Sequence, residues 1–199
     1  MKNKLLSSHL FFFMISGAVV YFQIKETYLI WNMFLALLAL DFSFCLNRFK
    51  NLSLTFIFTL FWLFFYPNTF YMLTDLVHMD FIGSSFSNVQ SLIHYFLFLV
   101  SILFGSLCGV ESVNQLLKRF VIKEYYFKLF VLILLSVISS FAIHLGRYAR
   151  LNSWDLVLRP TVVITELSKL LSADVLPFIV GFSFIQIMVL LFLDKESSK

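Results

Sequence analysis

The sequence predicts an all-α integral membrane protein: a bundle of about six transmembrane helices, one or two outer interfacial helices, and both termini inside. Three observations predict it. Of 199 residues, 60% are hydrophobic and 13% charged, where soluble domains run about 45–50% and about 25%. Mean hydropathy is +0.91. Apolar runs recur at close to the ~20 residues that cross a bilayer. Together these exclude a water-soluble globule, a disordered chain, a collagen and a disulfide scaffold. The 27 phenylalanines suit contact with lipid. One transmembrane domain over residues 1–199 is expected.

The first span is Leu5–Gln23. Its Met1-Lys2-Asn3-Lys4 start resembles a signal peptide, but no small-x-small site follows and the reading is a retained helix. The second is Tyr28–Leu46, carrying Asn32 and Asp41. The third starts near Leu52 and meets Pro67-Asn68. Proline has no N–H to continue a helix, so a break is expected there, with freed backbone lining a cavity. Residues 69–80 then form a short outer helix. The fourth span, Phe86–Val110, carries Ser101, Gly105 and Gly109 at spacings of four. Such a stripe lets backbones approach closely. The fifth is Tyr126–Leu145. Residues 155–171 read as one amphipathic helix on the outer interface, with Leu156, Val163, Leu167 and Leu170 on one face. The sixth span is Val175–Leu193.

The formal charge is +4. With the N-terminus inside, ten Lys and Arg fall inside (Lys2, Lys4, Arg48, Lys50, Lys118, Arg119, Lys123, Lys128, Lys195, Lys199) and five outside (Lys25, Arg147, Arg150, Arg159, Lys169). Basic loops stay cytoplasmic, which sets the orientation. The basic residues sit in short loops, with no basic helix interleaved with stacking aromatics. Nucleic-acid binding is therefore not expected. Cys45 and Cys108 lack any zinc-site spacing and read as packing residues.

Polar residues inside or beside a membrane are costly, so their placement carries information. Most fall at the outer depth: Trp31-Asn32; Asn68, Tyr71, Thr74, Asp75 and His78; His94; His144, Arg147 and Arg150; and Asn152-Ser153-Trp154-Asp155. On an α-helix Tyr71, Asp75 and His78 share a face. Asp41 is an exception, mid-span with no Lys or Arg at its depth, and could relay protons. His9 near the inner interface reads as a snorkelling side chain.

Three motifs carry a resemblance. They are Trp31-Asn32, Pro67-Asn68-x-x-Tyr71-x-x-Thr74-Asp75-Leu76-x-His78, and Gly146-Arg147-x-x-Arg150-x-Asn152-Ser153-Trp154-Asp155. They resemble the bacterial multi-pass membrane family designated domain of unknown function 1361, from about residue 28 to 190. The resemblance implies the bacterial cytoplasmic membrane and no particular reaction.

The residues themselves suggest three roles. In the first, Asp75 and His78 supply zinc ligands with His94 or His144 completing the set, since catalytic zinc takes three protein ligands and an open position. Asp155 then acts as general base and Asp75 also serves catalysis. This layout also resembles membrane hydrolases of the alkaline-ceramidase type, although a paired His-x-x-x-His on the last span is missing. In the second, Arg147, Arg150, Asn32, Asn68, Tyr71 and Trp154 bind or pass an anionic lipid or envelope precursor, because arginine forms bidentate contacts with phosphate and carboxylate. Three of the five arginines lie outside against two of ten lysines, opposite to the orientation bias. In the third, the polar set only holds the fold, through pairs such as Arg147–Asp155 or Arg150–Asp75.

Overall fold

The computed structural model describes residues 2–49, 51–82, 88–150, 155–168 and 174–194. For 2, 78–82, 156–157 and 166–168 it describes the backbone alone. The described residues are helical throughout their elements, with no strand among them. In chain order these are α1 (Lys2–Tyr21), α2 (Tyr28–Arg48), α3 (Leu52–Tyr71), a 3₁₀ segment (Met72–Ile82), α4 (Val89–Arg119), α5 (Tyr125–Tyr148), α6 (Asp155–Leu158), α7 (Pro160–Ser168) and α8 (Leu176–Phe192).

Among the described residues five stretches, all within α1 to α5 and the start of the 3₁₀ segment, are long and apolar enough to cross a bilayer. The sixth expected span, α8, has 17 residues, at the short end of the crossing range of about 17–25. The chain is an all-α membrane bundle protein.

Each boundary has a local cause. Asn51 opens α3 by accepting from the Ser53 and Leu54 amides at 2.8 and 3.4 Å. Glu124 opens α5 in the same way through the Tyr126 and Phe127 amides. Such caps satisfy amides that a helix start leaves orphaned. Gln23 and Val121 take left-handed φ values of 52° and 55°. The amides of Ile24 and Ile122 then bond back to Val19 and Leu117 carbonyls at 3.0 Å, the Schellman stop.

Two expectations are corrected. Pro67 does not break the third span. It lies inside α3, which continues to Tyr71. The helix gives up one backbone hydrogen bond at the proline and is held through it by packing, with Tyr66, Thr69 and Phe70 all buried. The segment beyond is 3₁₀ rather than α. At three residues per turn, Met72, Asp75 and His78 share an edge, and Tyr71 leaves the face that an α-helix would have given it. Residues 155–171 are also not one helix. α6 and α7 meet at Arg159-Pro160, because proline at the first helical position starts a helix well and continues one poorly.

The chain divides into two compact units, Met1–Gln115 and Leu116–Lys199. In the first, α1, α2, α4 and the 3₁₀ start share a core that includes Val19, Leu29, Met33, Leu40, Met72, Phe98 and Ile102. Phe42 of α2 stacks on Phe61 and Phe65 of α3 at 5.2 and 5.6 Å. The small-residue stripe of α4 works as expected. A Cβ on Gly105 would sit 3.0 Å from the Thr69 carbonyl oxygen, and one on Gly109 2.5 Å from Thr69 Oγ1.

In the second unit α5 packs on α8. Lys128 pairs with Asp194 at one end of the two helices. Midway, Gln186 Nε2 donates to Ser140 Oγ at 2.7 Å and Ser183 Oγ to the same hydroxyl at 3.1 Å. At the far end the Phe178 ring meets His144 and Tyr148 at 5.4 and 5.6 Å. Val163 of α7 packs against Leu145, on the apolar face read from the sequence.

Candidate functional site

The outer end, as the lysine and arginine distribution assigns it, carries polar groups in each unit. In the first unit the 3₁₀ segment places the Asp75 carboxylate inward, 2% exposed, where Asn32 Nδ2 of α2 donates to Oδ2 at 3.5 Å. The sequence grouped these two residues, and the fold joins them. Thr74 turns its hydroxyl back to the Tyr71 carbonyl at 2.7 Å, and Tyr71 is half-buried. Asn68 is turned onto its own helix. His94 of α4 pairs through Nε2 with Glu26 Oε2, in the α1–α2 turn, at 2.7 Å. Both side chains of that pair are largely buried.

In the second unit α5 ends in the site's basic residues. His144 stacks on Tyr148 at 4.6 Å. Arg147 is half-buried in the last turn. Arg150 is exposed and takes a left-handed φ of 52°. Asp155, 2% exposed, is held by Arg159 one turn on. Nε and an Nη contact the same Oδ1 at 2.8 and 2.7 Å. That hydrogen bond, then the carboxylate's charge, push the Arg159 guanidinium above its ordinary value. Trp154, with Asn152 and Ser153, lies outside the described residues, as does the His78 side chain. Among the described residues no three His, Cys, Asp or Glu form a metal-holding group.

Residues 31–189 match a family described as a protein of unknown function, DUF1361. The chain belongs to the DUF1361 family. The match runs from Trp31 to near the end of α8, covers both outer polar sets except Glu26, and agrees with the resemblance that the three motifs carry. No curated protein and no solved structure matches this DUF1361 protein.

Two features escaped sequence reasoning. One is the pairing of Glu26 with His94. Its signal was the place of Glu26 as the acid of the short outer turn, within reach of a helix that carries a histidine. The mid-membrane group of Ser136, Ser139, Ser140, Ser183 and Gln186 was passed over as apolar span. All five are buried, and Ser136 Oγ, Ser139 Oγ and Gln186 Oε1 have no hydrogen-bond partner. The signal was serine at i, i+3 and i+4 facing a lone glutamine on the other helix.

Proposed function

We propose that this protein, in a bacterial cytoplasmic membrane, binds the anionic headgroup of a lipid or envelope compound at its outer end, and that binding serves its transport. One observation carries the reading. At the outer end of the second unit Asp155 holds Arg159. Exposed Arg150 has no ion-pair partner among the described residues of that unit. An arginine on the side of the membrane that orientation disfavours, five residues before an Asp155 carboxylate that Arg159 already holds, is a receptor for an anion. Tyr148, 65% exposed beside it, supplies the amphipathic ring that suits headgroup depth.

The test is phosphatidylglycerol binding to the purified full chain in a zwitterionic detergent, read by native mass spectrometry. A charge-assisted hydrogen bond is worth about 1.5–3 kcal/mol, so Arg150→Ala should weaken binding about tenfold or more, and Arg150→Lys less. Equal affinity for phosphatidylglycerol and phosphatidylcholine, or an unchanged Arg150→Ala variant, would refute the reading.

One observation favours a second reading, a zinc-dependent hydrolase acting on lipid at the outer leaflet. A metal-binding histidine usually has its other ring nitrogen held by a carboxylate, and Glu26 holds His94 in that way. Here Asp75 and His78, of the same unit, would complete the ligands. The expected result is near-stoichiometric zinc in gently purified protein, falling by more than half in both His94→Ala and His78→Ala. Zinc content unchanged by either substitution would remove this reading.

A further inference from the structure

One ionisable pair of the first unit, His9 with Asp41, lies within the spans. His9 of α1 and Asp41 of α2 each sit seven residues from the basic end of their helix, at Lys2 and Arg48. That is about 10 Å along each axis. His9 Nε2 lies 3.4 Å from Asp41 Oδ2. His9 Nδ1 lies 2.9 Å from the Leu5 carbonyl oxygen. A carbonyl oxygen only accepts, so Nδ1 carries a hydrogen. In a neutral ring Nε2 then presents a lone pair, and it faces a carboxylate that is also a pure acceptor. Two acceptors hold such a contact only with a proton between them.

We propose that His9 and Asp41 form an intramembrane proton-binding site that holds one exchangeable proton between Nε2 and Oδ2. The proton is shared as imidazolium with carboxylate or as imidazole with carboxylic acid. Either form is net neutral, which suits a low-dielectric setting. Only an N–H or O–H bond forms or breaks, and the released proton goes to water. A second observation points the same way: Asp41 Oδ1 is shielded from solvent and has no hydrogen-bond partner. It is a vacant acceptor on the far side of the same carboxylate, where a transferred proton can arrive.

The surrounding groups are mostly neutral. Cys45 and Arg48 lie along α2, and Cys108 of α4 is within reach of the Asp41 charge. The nearest ion pair on α1 and α4 is Lys4–Glu111 at 3.0 Å, nearer the basic helix ends. α3 carries no charged residue. The site goes beyond the outer headgroup reading and does not depend on it. Its ligand is a proton, the coupling ion a membrane carrier can use.

The full chain in lipid nanodiscs at pH 7 tests this, by ¹⁵N-histidine NMR and by infrared spectroscopy with ¹³C-aspartate. Two results support it. One is an Nε2 of His9 that bears a proton. The other is a carboxylic-acid band that disappears in Asp41→Asn and shifts within minutes in D₂O. A bare Nε2 with no Asp41 acid band, or a proton that does not exchange, would overturn it. His9→Gln assigns the ring signal. Should that variant not fold, His78→Gln, His94→Gln and His144→Gln assign it by elimination.

Discussion

Gly109→Leu is expected to prevent the first unit from folding in most of the expressed protein. A Cβ at Gly109 would lie 2.5 Å from Thr69 Oγ1, 2.8 Å from Phe70 Cε2 and 2.9 Å from Thr69 Cβ. None of these can give way easily. Thr69 and Phe70 are fully buried, and the Thr69 hydroxyl is tied to the Tyr66 carbonyl next to Pro67. Overpacking of a tight site costs about 1–3 kcal/mol, and more when backbone must move. Gly109→Ala should cost about 2 kcal/mol, and Gly109→Leu more than about 3 kcal/mol. The controls lie in the same chain. Gly17 and Gly181 meet nothing within 4 Å, so Gly17→Ala and Gly181→Ala should be neutral or stabilising by up to about 1 kcal/mol, since alanine is the better helix former. Thermal melting in detergent with monodispersity on a sizing column reads all four. A Gly109→Leu protein melting with the wild type would show that α4 does not depend on this contact.

That contact was legible in the sequence because small residues at spacings of four leave a trace in the order of residues. The same holds for the spans, since apolar length is a local property. The pairing of Asn32 with Asp75 was half legible: both were assigned to the outer depth, and depth together with polarity is a strong constraint in a membrane. What escaped depended on backbone geometry that composition does not encode. Pro67 reads as a break, yet the helix continues, held by the buried packing of Tyr66, Thr69 and Phe70 around it. The 3₁₀ form of Met72–Ile82 moves Tyr71 away from Asp75 by changing the residues per turn. The partner of His94 lies 68 residues away, and no periodicity links residues so far apart. His9 was read as snorkelling and Asp41 as isolated because each helix was considered alone. The antiparallel return of α2 beside α1 brings them to one depth.

The Lys128–Asp194 pair yields the other large effect, and it has an unusual sign. Lys128 lies in the first turn of α5, and Asp194 just past the end of α8. Each charge therefore sits at the helix end whose dipole opposes it: cations are favoured at C-termini and anions at N-termini. The other partner is what chiefly favours each charge there, with Glu124 one turn before Lys128 a lesser contribution. The side chains are 16% and 14% exposed, so loss of one leaves a poorly hydrated charge on the other. Lys128→Ala and Asp194→Ala should each cost about 3 kcal/mol. Lys128→Asp or Asp194→Lys alone should cost at least as much, because like charges then face each other. The double exchange, Lys128→Asp with Asp194→Lys, restores the attraction with the same combined reach and turns both dipole terms favourable, each worth about 0.3–1 kcal/mol. It also leaves the number of basic residues at that membrane face unchanged, so orientation is not disturbed. The exchanged protein should therefore melt at or above the wild-type temperature, while all four single variants melt below it. If the exchange fails to recover the loss of its single members, the pair is not what joins the ends of α5 and α8. The buried Ser140–Gln186 contact and the Phe178 ring contacts would then hold the two helices together.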